Sequence, residues 1–321
     1  MPTSCLPSLS AGRIGSYGSR KKALLIGVGY SDRPGFPQLR GTHQDVRRLK
    51  RLLERQYHFC DITVMTDEDH VSNDLQPTHA NIIRQLANFY EGQQPGDQFL
   101  FYFAGHGMQI EAVEDVLEED FKDESIISSD AIRILDNDLK IYLVDHLAPE
   151  CRLTAVFDSC ASGTVLDLPH HRCNRVCGLR NTVRRVVRQG SDVSVELGKH
   201  FLSLSDVVKT AMTPILSLSP DIMRRAGPLL CSGFCLPSTP SVENIICISA
   251  CKDSETAFES EDGSNTMTSR LIDLLEKESH PTLKSLMHTI SSSCADGVRK
   301  VPHPQLSSSC PLVMESSFLE L

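Results

Sequence analysis

Two short apolar runs each end in a side chain able to do covalent chemistry. Leu153–Phe157 leads into Asp158-Ser159-Cys160-Ala161-Ser162-Gly163, and Phe99–Phe103 leads into Ala104-Gly105-His106-Gly107. A thiol attacks a carbonyl only as thiolate, and with an ordinary pKa of about 8.5 little of it is ionised at neutral pH. An imidazole within reach takes the thiol proton during attack and later gives a proton to the leaving amine. The 54 residues from His106 to Cys160 suffice for one crossover, so neighbouring parallel strands can carry the pair. Gly107 and the small residues after Cys160 let backbone N–H groups face a developing oxyanion. The pair is the minimum equipment of a cysteine hydrolase. Taken singly, each residue has a plainer reading, as a buried cysteine or a structural histidine. Their joint occurrence at glycine-framed strand tips favours chemistry.

The elements that must position the pair alternate between strand and helix. Lys22–Tyr30 reads as a buried strand. Thr42–Tyr57 places Val46, Leu49, Leu52 and Leu53 at helical spacing, with Thr42 as a candidate cap. Asp61–Thr66 alternates like a strand, and Pro77-Thr78 opens a helix with Ile82, Ile83, Leu86 and Phe89 on one face. Asp97–Phe103 is the strand that ends at His106. Residues 107–130 are acidic and read as irregular, and Asp136–Leu147 reads as a helix. Arg152–Phe157 is the strand that ends at Cys160, and Asn244–Ala250 is a further strand. Helices are expected over Thr266–Glu278 and Thr282–Cys294, and a last strand within Gln305–Ser316. The expectation is an α/β fold with a mainly parallel central sheet and helices on both faces, in which ligands bind beyond the carboxyl ends of the strands.

The chain has 321 residues, of which 40% are hydrophobic and 23% charged, enough for one large domain or two small ones. Its formal net charge of −9 disfavours nucleic acid and anionic membrane as partners and suits cationic peptides. Met1–Lys22 lacks the apolar core of a signal peptide, and no run approaches the length of a membrane span. The twelve cysteines therefore read as buried small residues or reduced thiols in the cytoplasm or nucleus. Residues 1–20 read as a short disordered leader. Residues 21–168 carry the pair, 169–243 form an insert, and 244–321 complete the same domain.

The segments Lys22–Tyr30, Gly41–Asp45, Pro77–Ile82, Pro95-Gly96-Asp97, Gly105-His106-Gly107, Asp158-Ser159-Cys160 and Ser249–Asp253, in this order, resemble a metacaspase, with type I fungal members nearest in arrangement. The likeness spans roughly residues 21–168 and 243–320. It implies a caspase-like sandwich and a cysteine endopeptidase that cuts after Arg or Lys and works as a monomer. By the match, His106 is the general base and acid and Cys160 the nucleophile. Asp45 and Asp158 would lie in the specificity pocket, with Thr42 and Ala104 beside it. Two carboxylates in a cleft do select a cationic side chain, and a guanidinium pairs with carboxylate bidentately. Without the match, Asp45 is a solvated acid in the first turn of a helix. The chain departs from the family pattern at Ala104, where Ser is usual, at Ala161, where His is usual, and at Thr42, where Cys is usual.

The resemblance further implies activation by Ca2+, with Asp123, Asp136 and Asn137 at the ligand positions. Oxygen donors suit a hard cation, while an acidic loop and a helix cap are the plainer reading. Arg180, Arg184, Arg185 and Arg188 lie in the insert and are candidate sites of self-cleavage. His170, His171, Cys173 and Cys177 offer zinc donors, but no second Cys/His pair follows at suitable spacing, so the sequence argues against a zinc site. Cys247 and Cys251, four positions apart, are expected to share a strand face and simply pack. The alternatives to a peptidase are a catalytically weak scaffold that handles aggregated proteins and a hydrolase of non-peptide amides.

Overall fold

The computed structural model describes residues 19–31, 33–111, 122–160, 165–171, 173–174, 235, 245–251, 266–292 and 303–319. The expected leader before residue 19, Ala161, and Arg180, Arg184, Arg185 and Arg188 lie outside the described residues.

Apolar runs on both strand faces dictate a sheet covered on both sides. In β1 (Lys21–Gly27), Ala23 and Leu25 face one way and Leu24 and Ile26 the other; all four are at most 2% exposed. In β3 (Gln98–Ala104), Leu100 and Tyr102 similarly alternate with Phe99, Phe101 and Phe103. These alternating sets fall into two separate cores. One core takes Val46, Leu49, Leu52 and Leu53 of α1 (Thr42–Arg55), together with apolar residues of the two later helices, α4 (Met267–Lys277) and α5 (Leu283–Ser292). The other takes Ile82 and Leu86 of α2 (His79–Ala87) and Leu139 of α3 (Asp136–Lys140). The α3 helix continues as a wider π-type turn over Ile141–Asp145, which buries Leu143. The result is a helix–sheet–helix sandwich, as expected.

The sheet has six strands in the order β2-β1-β3-β7-β8-β9, where β2 is Asp61–Thr66, β7 Arg152–Asp158, β8 Ile245–Ser249 and β9 Gln305–Ser308. All pairs are parallel except β8 with β9. The strand order reverses at β1, so a crevice opens between the ends of β1 and β3. There β1 and β3 are in register, Gly27 with Ala104, and β3 and β7 likewise, Ala104 with Asp158.

Two expectations need correction. Much of the 107–130 stretch is not irregular: β4 (Gly107–Glu111), β5 (Lys122–Ile127) and β6 (Arg133–Leu135) form a second, antiparallel sheet of three strands. Its acidic residues hid the strand signal, because β propensity reflects packing on a half-buried surface more than residue type. Nor is Thr42 a cap. It is the first residue of α1, Gly41 is the cap, and no side chain bonds there. Thr78, in contrast, does cap α2, accepting from the Asn81 N–H.

Candidate active site

His106 follows β3 by two residues, and Cys160 follows β7 by two, so register alone sets them side by side. Their backbones touch: a Cβ placed on Gly107 would lie 2.1 Å from the Cys160 carbonyl oxygen. Only glycine fits there, which gives Gly107 a packing role besides the oxyanion role expected of it. Cys160 is a thiol of intermediate exposure, open enough to react.

The imidazole of His106 is held from three sides. Its Nε2 lies 2.7 Å from the Pro37 carbonyl oxygen. A carbonyl only accepts, so Nε2 carries a hydrogen and Nδ1 is the nitrogen that takes up and releases a proton. Tyr30 packs against the ring in a tilted arrangement at 4.6 Å between centroids, and Phe36 lies at 5.6 Å. The Tyr30 hydroxyl also accepts from the His106 backbone N–H at 3.0 Å and donates to the Ile127 carbonyl at 2.6 Å. This ties the histidine to β5. Gly105 makes room for it, since a Cβ there would meet Tyr30 Oη at 2.8 Å. Burial pushes the Tyr30 phenol far above its usual range, so it stays protonated and can donate.

The segment that supplies Tyr30, Phe36 and Pro37 is itself clamped. Tyr30 has a left-handed backbone (φ 55°), which costs about 1 kcal/mol or more in a residue with a side chain. The Asp67 carboxylate stabilises the turn by accepting from the Gly29 and Tyr30 N–H groups at 2.7 and 2.8 Å. His43 of α1 joins it at 2.5 Å. Burial works to raise the Asp67 carboxyl, but the His43 ring and the two N–H groups outweigh burial and hold it below the usual carboxylate range.

A second group of polar side chains forms around the start of α4. Asp45 is 3% exposed and accepts from the Thr266 hydroxyl at 2.6 Å. Asp158, half-buried at the end of β7, accepts from the Thr268 N–H at 2.9 Å. The buried Tyr102 hydroxyl donates to the Thr268 hydroxyl at 3.1 Å. Burial pushes the Tyr102 phenol up, and the negative charges of Asp45 and Asp158 push it further. The two carboxylates thus converge on one helix start beside the sheet's carboxyl edge, instead of Asp45 being solvated. Ala104 lies in that edge, paired with Gly27 and Asp158, and its carbonyl accepts from the Val28 N–H at 2.9 Å. Thr42 is 6% exposed, and its buried hydroxyl has no hydrogen-bond partner.

Several of these residues carry no sequence signal. Tyr30, Phe36 and Pro37 sit in a loop, and Thr266 and Thr268 arrive from more than 200 positions beyond Asp45. The one hint is Tyr102, a single hydroxyl in the apolar run Phe99–Phe103. Cys251 lies past the end of β8, so strand parity with Cys247 does not apply. Its thiol donates to the carbonyl of Ser159, the residue before the nucleophile.

The residues expected to hold calcium sit elsewhere. Asp136 is fully buried; one carboxylate oxygen accepts from the Glu124 N–H at 2.8 Å and the other from the Asn137 N–H at 2.7 Å. Glu124, also buried, accepts from the Gln109 side chain at 3.0 Å. Asp123 precedes it on β5. The Asp136 carboxylate is thus taken up by two backbone N–H groups and that of Glu124 by a side-chain amide.

A family model described as "Metacaspase, peptidase C14 domain" matches residues 21–169. Metacaspase-1 of Scheffersomyces stipitis is 32% identical, over 94% of this chain and 73% of that protein. Metacaspase-1 of Mycosarcoma maydis is 30% identical, over 95% and 74% respectively. Caspase-1 of Spodoptera frugiperda has the same fold with a TM-score of 0.51 at 11% identity, covering 91% of this chain and 87% of that one. Among the described residues no helix is long and apolar enough to cross a membrane. The chain belongs to the metacaspase family and is a cysteine-type peptidase.

Proposed function

We propose that this peptidase cuts after Arg or Lys, with Cys160 as nucleophile and His106 as the proton carrier. The carrying observation is the convergence of Asp45 and Asp158 on the start of α4, beside the strand tips that bear His106 and Cys160. One buried and one half-buried carboxylate, each oriented by a donor at the start of α4, favour a guanidinium or ammonium over a neutral or acidic side chain. The thiol proton passes to Nδ1 of His106, since Nε2 is held by the Pro37 carbonyl. The thiolate then forms a bond to the scissile carbonyl carbon. The C–N bond breaks as Nδ1–H protonates the amine, and water hydrolyses the acyl-enzyme.

Calcium would be held by Asp123, Asp136 and Asn137 with Glu124 alongside, and would supply positive charge where acidic side chains are buried. Self-cleavage at Arg180, Arg184, Arg185 or Arg188 would place a basic side chain in the same pocket. The enzyme would act as a monomer. The end of β9 supports this in part, because the His170 N–H and carbonyl pair with Ser308 there. The thiol chemistry suits the cytoplasm or nucleus, where cysteines stay reduced.

The test is hydrolysis of peptides ending in Arg, Lys or Asp, with and without Ca2+, by the wild type and by Asp45→Asn and Asp158→Asn. Cleavage confined to Arg and Lys, lost in both variants, is the expected result. A folded protein with a reactive thiol that turns over none of the peptides would move the function to a scaffold.

A further inference from the structure

His170 and Cys173, two of the zinc donors the sequence offers, meet a third metal-binding side chain that local spacing does not reveal. One ligand atom from each of His170, Cys173 and Cys235 lies within 4.8 Å of the others, and all three residues are partly buried. His170 Nδ1 and Cys173 Sγ are 3.6 Å apart. Zinc bonds of about 2.3 Å to sulfur and 2.05 Å to nitrogen, at a tetrahedral angle, give an N···S separation of about 3.6 Å. Cys235 comes from 62 positions beyond Cys173, so the spacing of neighbouring donors carries no sign of it.

The segment that carries His170 and Cys173 is tied to the sheet by hydrogen bonds of its own. His170 pairs with Ser308 through N–H and carbonyl, each at 3.2 Å. The Asn174 side-chain amide donates to the His170 carbonyl at 2.6 Å and to the Ser308 hydroxyl at 2.8 Å, and its oxygen accepts from the Leu312 N–H at 3.4 Å. Two donors of the cluster therefore ride on a segment anchored to the edge of the sheet, and the third comes from a distant point in the sequence.

We propose that His170, Cys173 and Cys235 bind one Zn2+ in a structural site that ties Cys235 to the segment carrying His170 and Cys173. Thiolates and an imidazole are the donors zinc prefers over calcium or magnesium. Binding releases one proton from each thiol, so two protons leave as one ion enters. Three protein ligands leave the fourth position to water or to a further donor. The site is separate from the catalytic pair and does not depend on the peptidase reading.

The test uses the purified full chain with Zn2+ or Co2+ alone. The protein should hold about one zinc per chain, and Co2+ should give the thiolate-to-metal absorption and tetrahedral spectrum of a sulfur-rich site. Cys173→Ser, Cys235→Ser and His170→Ala should each weaken binding by at least about tenfold. They should also abolish a zinc-dependent rise in melting temperature that Cys60→Ser, an exposed thiol elsewhere, retains. Sub-stoichiometric, weak binding that Cys235→Ser leaves unchanged would overturn the proposal. So would a Cys173–Cys235 disulfide, found by mass spectrometry in protein kept under mild reductant, that excludes zinc.

Discussion

The edge formed by β1, β3 and β7 and the loops against β9 bring reactive side chains together by opposite routes. At the first, parallel strands in register deliver His106 and Cys160, each two residues past a strand end, so short-range sequence order becomes spatial order. At the second, His170 and Cys173 meet Cys235, a residue 62 positions beyond Cys173 in the sequence. The strand-tip site is complete within one frame of paired strands, whereas the second site would hold its distant donor in place through the ion it binds. The chemistry of a strand-tip site is therefore readable before folding, and that of a site with a distant donor is not.

The largest effects should come from breaking the strand-tip pair. Cys160→Ala and His106→Ala should each lower turnover by at least about a thousandfold while leaving the melting temperature within a few degrees, checked by peptide hydrolysis and calorimetry. A residual rate near wild type in either would detach the chemistry from the register. Next come the pocket acids. Asp45→Asn and Asp158→Asn should reduce kcat/KM for Arg peptides by about thirtyfold or more, as expected when one partner of a buried charge contact is removed. Single-turnover rates of thiol alkylation by iodoacetamide should change far less.

Much of this contrast was legible beforehand. The runs ending at His106 and Cys160 gave the parallel sheet and its functional edge, because apolar strands and small residues at their tips are local signals. The frame around His106 was not legible. Pro37 acts through its carbonyl and Tyr30 through a left-handed turn, and neither role leaves a trace in residue spacing. The Thr42 hydroxyl was read as a cap, yet it is buried with no hydrogen-bond partner, since Gly41 takes the cap position. The β4–β6 sheet escaped notice because its strands carry Glu111, Asp123 and Glu124 where alternating apolar residues would signal pairing.

Smaller effects should sharpen the role of that frame. Tyr30→Phe removes the hydroxyl shared by the His106 N–H and the Ile127 carbonyl and should cost about 1–3 kcal/mol of stability, read by denaturant unfolding. It should lower kcat more than it raises KM, because it disturbs the imidazole and not the pocket. Asp67→Asn should act similarly at about 1–2 kcal/mol, with a pH signature. The folded-state carboxyl lies below its ordinary value, so its contribution is complete well above that value and is lost as pH falls through the lowered one. Unfolding curves from neutrality down to about pH 2 should show a steeper acid loss in the wild type than in Asp67→Asn. Equal slopes would remove Asp67 from the account of how the turn is held.

The most direct measurement of the central claim is labelling with a trace of an Arg-based chloromethyl ketone, followed by intact mass and peptide mapping. The account predicts one adduct, on Cys160, formed much faster than with the corresponding Asp reagent and slowed in Asp45→Asn. Labelling spread over other thiols, or equal rates for Arg and Asp reagents, would contradict it.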